Sequence, residues 1–288
     1  MRAANGTDYA EFQNEILSFY REHGRALPWR QTSDPYAILV SEFMLQQTQT
    51  QRVIPKYARW LEEFPTVRAL ADAPFTQVLR YWVGLGYNRR ARYLHECAKK
   101  IVREFDGAVP SNPAALRTLP GIGAYTAAAV AAFAYDKPTI FIETNIRAVF
   151  IHFFFSYREE VSDKEIAPLV RASLYEEDPR TWYYALMDYG AALKKRRDNP
   201  NRQSKHYVKQ SQFKGSLRQA RGAIIRALIA QPLQTHDELA ANSCADTAVQ
   251  TALFNRALEA LLREGFVAKF EHLYTLAPNF KDDAPSAK

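Results

Sequence analysis

The feature that most constrains the fold is a long succession of helical segments separated by Pro or Gly. Strand-like alternation is nearly absent before residue 265, so helices must bury the core. The sequence therefore predicts a mainly α protein with a helical domain over residues 1–198. Its predicted helices are Glu11–His23, Tyr36–Arg52, Pro55–Glu63, Phe75–Tyr81, Arg89–Phe105, Pro113–Thr118, Ala124–Tyr135, Asn145–Phe155, Lys164–Ser173 and Pro179–Lys195.

A different pattern follows this region. Residues 199–215 are polar and basic and are predicted to form a linker. Residues 216–278 show three helices and two short terminal strands, in the order of a winged helix; the alternative is a small helical packing domain. The elements are Leu217–Ala230, a helix capped by Thr235 with Glu238, Thr247–Glu264 closed by Gly265, and strands within Phe266–Leu276. Residues 279–288 read as a polar tail.

Charge is concentrated in one stretch of the chain. The net charge is +7, whereas residues 194–221 carry ten Lys and Arg against the single acid Asp198. Such a cluster is typical of phosphate contact, and a solvated linker is the other interpretation. Two cysteines, Cys97 and Cys244, exclude a disulfide scaffold, a four-cysteine zinc site and a cysteine-ligated iron–sulfur cluster.

The segment Leu119–Thr126, LPGIGAYT, places Gly121 and Gly123 between two helical segments. Glycines there let a ligand approach the backbone where a Cβ would clash. The N–H groups that begin the next helix are suited to a phosphate. This pattern resembles a helix-hairpin-helix motif, which grips the DNA backbone without reading sequence. A tight structural turn is the alternative.

Two carboxylates suggest chemistry. Glu42 lies in a helix among apolar neighbours, and desolvation there would raise its pKa toward that of a general acid. Glu143 precedes a helix that Thr144 could cap, where the helix dipole favours an ionised carboxylate. One protonated and one ionised acid are the pair used in glycosidic-bond cleavage. Taken singly, Glu42 could form a surface salt bridge and Glu143 could be a capping acid.

Several motifs together resemble one family. LPWR, DPY, SEFMLQQTQ, VIPKY, GLGYNRRARYLH, LPGIGAYTAAAV and MDYGA occur in the order and spacing of MutY-type adenine DNA glycosylases. These enzymes belong to the helix-hairpin-helix superfamily that includes endonuclease III. The resemblance implies a two-lobed helical glycosylase fold and duplex DNA as the substrate.

The resemblance also implies roles for single residues. Glu42 would protonate the departing purine and then handle water, and Glu143 would stabilise the oxocarbenium-like sugar, with Tyr125 and Asn145 beside them. Gln47 and Tyr87 match wedge residues that enter the base stack when a nucleotide is flipped out. Phosphate contacts are expected from Arg89, Arg90, Arg92, Gly121, Gly123, Lys194, Lys195, Arg196 and Arg197.

Three departures from the family are visible. The four cysteines that usually follow MDYGA are missing, so no iron–sulfur cluster is expected; a monovalent cation at the hairpin 119–123 is left open. The domain that recognises oxidised guanine is replaced by residues 216–278. Glu143 stands where the family has Asp, and its extra methylene moves the carboxylate by roughly 1.5 Å.

The sequence thus predicts a monofunctional DNA glycosylase of base excision repair that removes adenine or another mispaired or damaged purine. Tyr125 stands where bifunctional members have Lys, so no lyase activity is expected. The alternative is a non-catalytic DNA-binding or lesion-sensing protein. We expect a monomer without a membrane segment, located in the cytoplasm with the bacterial nucleoid, or in the nucleus of a eukaryote.

Overall fold

The structure is a computed structural model, which describes residues 8–196, 199–208, 212–243 and 247–277. The described chain is mainly helical, as the sequence predicts. Its α-helices are α1 Tyr9–His23, α2 Pro35–Leu45, α3 Thr50–Glu63, α4 Val67–Asp72, α5 Phe75–Trp82, α6 Arg89–Phe105, α7 Pro113–Leu116, α8 Ala124–Tyr135, α9 Thr144–Phe154, α10 Asp163–Ala172, α11 Pro179–Arg196, α12 Leu217–Ala230, α13 His236–Asn242 and α14 Ala248–Arg263. Short 3-10 helices lie at Pro28–Arg30 and Pro200–Gln203.

A small sheet follows α12. Its strands are β1 Gln234–Thr235, β2 Val267–Phe270 and β3 Leu273–Leu276, and β3 pairs antiparallel with both others. The order helix, strand, two helices, hairpin is the winged-helix-like order that the sequence predicts, with β1 added. The predicted capping box of Thr235 and Glu238 is present at the start of α13.

The chain divides into two compact units, each made of two stretches. The first comprises Met1–Glu42 and Val109–Lys209, and the second comprises Phe43–Ala108 and Gln210–Lys288. The predicted domain boundaries at 198 and 216 make each domain one continuous stretch of chain. In the structure, the first boundary between the units lies inside α2, after Glu42. The C-terminal elements therefore belong to the same unit as α3 to α6.

The core of the first unit is built around helices that are apolar on most sides. In α8 every residue from Thr126 to Ala134 is buried, as expected for a central helix. Helix α11 contacts α1, α8 and α9. Phe12 of α1 meets Phe150 of α9 and Trp182 of α11 edge to face, at ring distances of 5.5 and 5.7 Å, a favourable aromatic geometry.

In the second unit, α6 contacts α4 and α5, and α12 contacts α14. Trp60 and Trp82 are fully buried and meet edge to face at 5.6 Å. Phe266, also fully buried, lies beside Phe75 at a ring distance of 6.0 Å. In the part of the chain that the structure describes, no helix is long and apolar enough to span a membrane.

One predicted helix is wrong. Tyr36–Arg52 is not continuous, because α2 ends at Leu45 and α3 begins at Thr50. Between them Gln47 adopts a left-handed backbone with φ of 54°, a conformation that a non-glycine residue rarely takes. The sequence has neither Pro nor Gly there, so nothing local marked the break. The helix α4 and the strand β1 were also missed.

Candidate active site

Glu42 is buried in the first unit. It lies near the end of α2, where its side chain has only 6% exposure among apolar residues, so the alternative of a surface salt bridge is wrong. Burial raises the pKa of Glu42 to about 7 and the charge of Glu143 acts in the same direction, whereas a hydrogen bond with Tyr125 lowers it. A carboxyl with this pKa can donate or accept a proton at neutral pH.

Tyr125 lies in the first turn of α8 and is half-buried. Its hydroxyl is hydrogen-bonded to Glu42, and burial together with the two nearby glutamates raises its pKa well above the usual range. Phe141 packs edge to face on the Tyr125 ring at 5.6 Å. The phenol is therefore fixed in its neutral form against the Glu42 carboxyl.

Glu143 caps helix α9. Its Oε1 accepts hydrogen bonds from the backbone N–H groups of Asn145 and Ile146, at 2.6 and 2.9 Å, and its Oε2 accepts one from Asn145 Nδ2 at 3.2 Å. The N-cap is thus Glu143 itself, and the predicted cap Thr144 is the first helical residue. The interpretation as a capping acid is right, and it coexists with a place beside Glu42.

The electrostatics of the pair are set by burial and by donors. Burial raises the pKa of Glu143, and its hydrogen bonds with Asn145 and Ile146 and the charge of Lys194 oppose that rise. Burial also lowers the pKa of Lys194, which the charge of Glu143 counteracts. Glu143 receives three N–H donors, which favour its ionised form, whereas burial favours the protonated form of Glu42.

Close packing of α11 on α9 fixes the Glu143 cap. A Cβ at Gly190 would lie 2.2 Å from the backbone oxygen of Asn145, so only glycine allows this approach. Asn201, which is buried in the segment after α11, donates from Nδ2 to the Thr144 oxygen at 2.9 Å. The turn that carries Glu143 is therefore held from two sides.

Sequence reasoning missed the ion cluster around Asp188. This residue of MDYGA is buried, and both of its oxygens accept hydrogen bonds from Arg30 at 2.8 Å. Arg25 Nε donates to it at 2.7 Å. Burial raises the pKa of Asp188, but the two arginines outweigh it and lower the pKa. LPWR contains Arg30 and MDYGA contains Asp188, so these two motifs were the available sign.

The glycine hairpin has the geometry that the motif requires. Gly121 has a left-handed backbone with φ of 76°, and Gly123 is the extended N-cap residue of α8. Both are exposed, and a Cβ at Gly123 would meet nothing within 4 Å. The first N–H groups of α8 are thus accessible to a phosphate. The contact itself, and a cation at 119–123, stay predictions.

The two predicted wedge residues lie in the second unit. Gln47 and Tyr87 line one cavity of about 600 Å³, and both have left-handed backbones, with φ of 54° and 50°. Strained backbone of this kind concentrates at functional sites. The structure thus brings together two residues that are 40 positions apart in sequence.

The predicted phosphate contact of Arg90 is wrong. Arg90 is buried, and its guanidinium donates to the backbone oxygens of Phe43, Met44 and Leu85 at 2.9 to 3.1 Å. It therefore terminates α2 rather than meeting a ligand. Arg92 is half-buried with its guanidinium 3.9 Å from the Phe266 ring centre, and its phosphate contact stays a prediction.

The remaining predicted cations differ in accessibility. Arg89 is largely exposed and pairs with Glu264 at 3.0 Å. Lys195 is exposed and Lys194 half-buried. The side chain of Arg196 and the whole of Arg197 lie outside the described residues, as does Cys244.

Comparison with known proteins identifies the family. Residues 40–171 match the HhH-GPD superfamily of base excision DNA repair proteins. The adenine DNA glycosylase of Mycobacterium tuberculosis is 35% identical over 281 residues, covering 88% of this chain and 89% of that protein. The chain belongs to the adenine DNA glycosylase family.

Another member of this family, from Mycolicibacterium smegmatis, is 44% identical over 181 residues, and the match covers 62% of each chain. The rat adenine DNA glycosylase is 42% identical over 148 residues, which cover 48% of this chain and 29% of that protein. The chain thus spans less than two thirds of both relatives.

Solved structures agree on the fold. A thermostable thymine-DNA glycosylase matches with a TM-score of 0.60 at 27% identity, over 67% of this chain and 90% of that one. An endonuclease III–DNA complex matches with a TM-score of 0.55 at 19% identity, over 63% and 85%. The mainly helical, helix-hairpin-helix glycosylase fold is confirmed.

The segment after α11 does not fit an iron–sulfur cluster. It contains no cysteine, and the whole sequence has two, whereas a cluster takes four thiolates. Across the described ranges, no group of three or more His, Cys, Asp or Glu side chains is placed to hold a metal.

Proposed function

We propose that this chain is a monofunctional adenine DNA glycosylase that acts as a monomer on duplex DNA. It hydrolyses the N-glycosidic bond of a flipped-out adenine, or of another mispaired or damaged purine. The observation that carries the proposal is the buried Glu42, with a pKa of about 7, beside the half-buried Glu143 that caps α9. The names of the relatives at 35 to 44% identity support adenine as the base.

Glu42 is the general acid in this proposal. Its carboxyl gives a proton to a ring nitrogen of the base, the C1′–N bond breaks, and its electron pair leaves with the base. The Glu42 carboxylate then accepts a proton from the water that adds to C1′. The Tyr125 hydroxyl holds the carboxyl in place and leaves its other oxygen for the substrate.

Glu143 stabilises the sugar cation. An oxocarbenium-like sugar carries positive charge near C1′, and an ionised carboxylate fixed by three N–H donors cannot reorient away from it. Lys194 reduces the local excess of negative charge before the base leaves. This division of roles needs a proton on Glu42 and none on Glu143; the raised pKa of Glu42 and the N–H donors of Glu143 support it.

Lyase chemistry is not part of the proposal. Tyr125 has no amine, so it cannot form the Schiff base through which bifunctional glycosylases cut the strand. Lys194 is the amine that interacts with Glu143. Borohydride traps a Schiff base between protein and DNA as a covalent adduct. An adduct formed by the wild-type chain and lost in Lys194→Ala would contradict the monofunctional assignment.

The function is tested on duplexes that carry adenine opposite 8-oxoguanine, adenine opposite guanine, hypoxanthine, uracil or thymine opposite guanine, and alkylated purines. Alkali then cleaves the abasic sites that are formed. We expect release of adenine by the wild-type chain and by Glu62→Gln, whose side chain is exposed on α3, and none by Glu42→Gln. Equal product from wild type and Glu42→Gln on every duplex would refute the proposal.

A second candidate is a non-catalytic sensor of distorted DNA, which the Glu in place of the family's Asp at position 143 favours. It predicts tight, salt-dependent binding to mispaired duplexes without base release. The same duplex panel separates the two candidates, because only the glycosylase leaves alkali-labile sites.

A further inference from the structure

A cavity in the second unit is shared by two regions that are distant in sequence. It measures about 600 Å³, and we call it the Tyr87 cavity. Tyr87 and Gln47 line it from the turns before α6 and after α2, and residues of α12 in the C-terminal region line it as well. Its charged lining residues are Arg89, Arg90, Arg218, Arg221 and Glu264.

Arg218 contacts the Tyr87 side chain directly. Its Nη1 donates a hydrogen bond to the Tyr87 hydroxyl at 2.6 Å, and its Cζ lies 5.2 Å from the ring centre. The Arg90 guanidinium lies 5.5 Å from the same ring centre. The Tyr87 ring thus lies beside two cations, and Arg218 also donates to its polar end.

The helix that carries Arg218 is fixed by an ion cluster. Glu264, after α14, accepts two hydrogen bonds of 2.7 Å from Arg221 and one of 3.1 Å from Arg89. The hydrogen bonds and charges of these arginines lower the pKa of Glu264 to about 2, against the effect of its partial burial. Arg221 follows Arg218 by three residues on α12, so the two side chains lie on the same face of the helix. The ion cluster and the Tyr87 contact are therefore on that face.

We infer that Arg218 is a positioning residue for base flipping, through which the C-terminal region sets the orientation of the Tyr87 ring. The inference rests on the proposed function, in which the base is flipped out, and on the expected role of Tyr87 as a wedge residue that enters the stack. The left-handed backbone of Tyr87 must be held by its surroundings, and a ring that is already ordered loses less entropy on insertion.

The role has a clear physical scale. Opening a stacked base pair costs free energy, which the inserted ring must offset. A charge-assisted hydrogen bond shifts such an equilibrium by about tenfold or more. Loss of the Arg218 contact would therefore change the fraction of flipped base by about tenfold, while the DNA backbone contacts of the first unit stay the same.

The experiment measures unstacking in the Glu42→Gln chain, so that no base is released. A duplex carries 2-aminopurine next to an adenine opposite 8-oxoguanine, and its fluorescence rises when the stack opens. Arg218→Ala, Tyr87→Phe and the double variant form a double-mutant cycle. Arg256→Ala is the matched control, because Arg256 is exposed on α14 and does not line the cavity. Thermal unfolding and duplex affinity are measured for each.

We expect Arg218→Ala to lower the equilibrium constant for stack opening by about tenfold, with unchanged unfolding and less than about threefold weaker binding. Tyr87→Phe should have a similar effect, and the double variant should be no worse than either. Additive effects would overturn the inference, as would a loss of affinity that accounts for the whole fluorescence change. The double-mutant cycle measures stack opening and not base release. It therefore tests the role of Arg218 even if the wild-type chain releases no base in the duplex panel.

Discussion

Glu42 is buried where its charge destabilises the folded chain. Its pKa is about 7 in the folded state against an ordinary 4.5 when unfolded, so the folded chain binds more protons between these values. The free energy of unfolding therefore falls as pH rises from 4.5 to 7 and stays low above it. The loss amounts to about 3 kcal/mol, since one pKa unit equals 1.36 kcal/mol.

Glu42→Gln should consequently stabilise the chain while abolishing excision. At pH 8 its free energy of unfolding should exceed that of wild type by about 2–3 kcal/mol, and the gain should shrink toward pH 4.5. Denaturant unfolding at both pH values measures this, with Glu62→Gln as control. A variant less stable than wild type at pH 8 would show that Glu42 is not desolvated as described.

The position of the Glu143 carboxylate decides whether Glu is the native residue of a working site. The donors of Asn145 and Ile146 meet the longer side chain at 2.6 and 2.9 Å. Glu143→Asp retracts the carboxylate by roughly 1.5 Å, and we expect single-turnover excision to slow by about tenfold or more. Faster excision by Glu143→Asp would instead mark the chain as a decayed enzyme.

Sequence motifs identified the two carboxylates and Tyr125 because each lies in a short distinctive segment. They could not show that Arg90 turns inward, since GLGYNRR gives adjacent arginines the same local context. Only the carbonyls left open where α2 ends determine which guanidinium is buried. The cap at Glu143 was likewise hidden, because Thr144 is the commoner capping residue type.

Helix contacts control the site at the next scale. Helices α9 and α11 approach so closely at Gly190 that its missing side chain is a structural requirement. Most helices were predictable from Pro, Gly and apolar spacing, whereas the break between α2 and α3 was not. That break depends on contacts of Arg90, which is more than 40 residues away.

Gly190→Ala should separate α9 from α11 and displace Glu143. We expect a loss of about 3 kcal/mol in the free energy of unfolding and a large loss of excision. Gly222→Ala is the matched control, because Gly222 is also helical and a Cβ there would meet only Arg226 Nη1 at 3.4 Å. It should be neutral or stabilise by about 0.5–1 kcal/mol. Equal changes in the free energy of unfolding for Gly190→Ala and Gly222→Ala would contradict the close approach of α9 and α11.

Glu264 should stabilise the C-terminal elements through its ion pairs. Its pKa is lowered to about 2, so this contribution is present above the ordinary pKa of 4.5 and is lost as pH falls toward 2. We expect Glu264→Gln to cost about 2 kcal/mol at pH 7 and to speed hydrogen exchange in α12. Glu259→Gln, exposed on α14, should leave both unchanged. Unaltered exchange in Glu264→Gln would contradict this assignment.

At the scale of the whole molecule, the uneven charge should govern how DNA affinity depends on salt. Each phosphate contact contributes about 0.9 to the slope of log affinity against log salt. We expect the triple variant Lys195→Ala, Lys205→Ala, Lys214→Ala to reduce that slope by about 2 or more. Neutralising Arg59, Arg103 and Arg256, which are also exposed, should change it little. Equal slopes for both sets would leave the basic segment as a solvated linker.

The cap at Glu143 ties the chemistry of this chain to its survival under mutation. A substitution that removed the carboxylate would leave the N-terminus of α9 without its cap, and such losses cost about 1 kcal/mol. A chain that lost activity by drift at this position would also populate unfolded states more often and be degraded faster. Selection for abundance alone would therefore favour a capping side chain at position 143, and Glu143 combines that cap with one of the two proposed catalytic carboxylates.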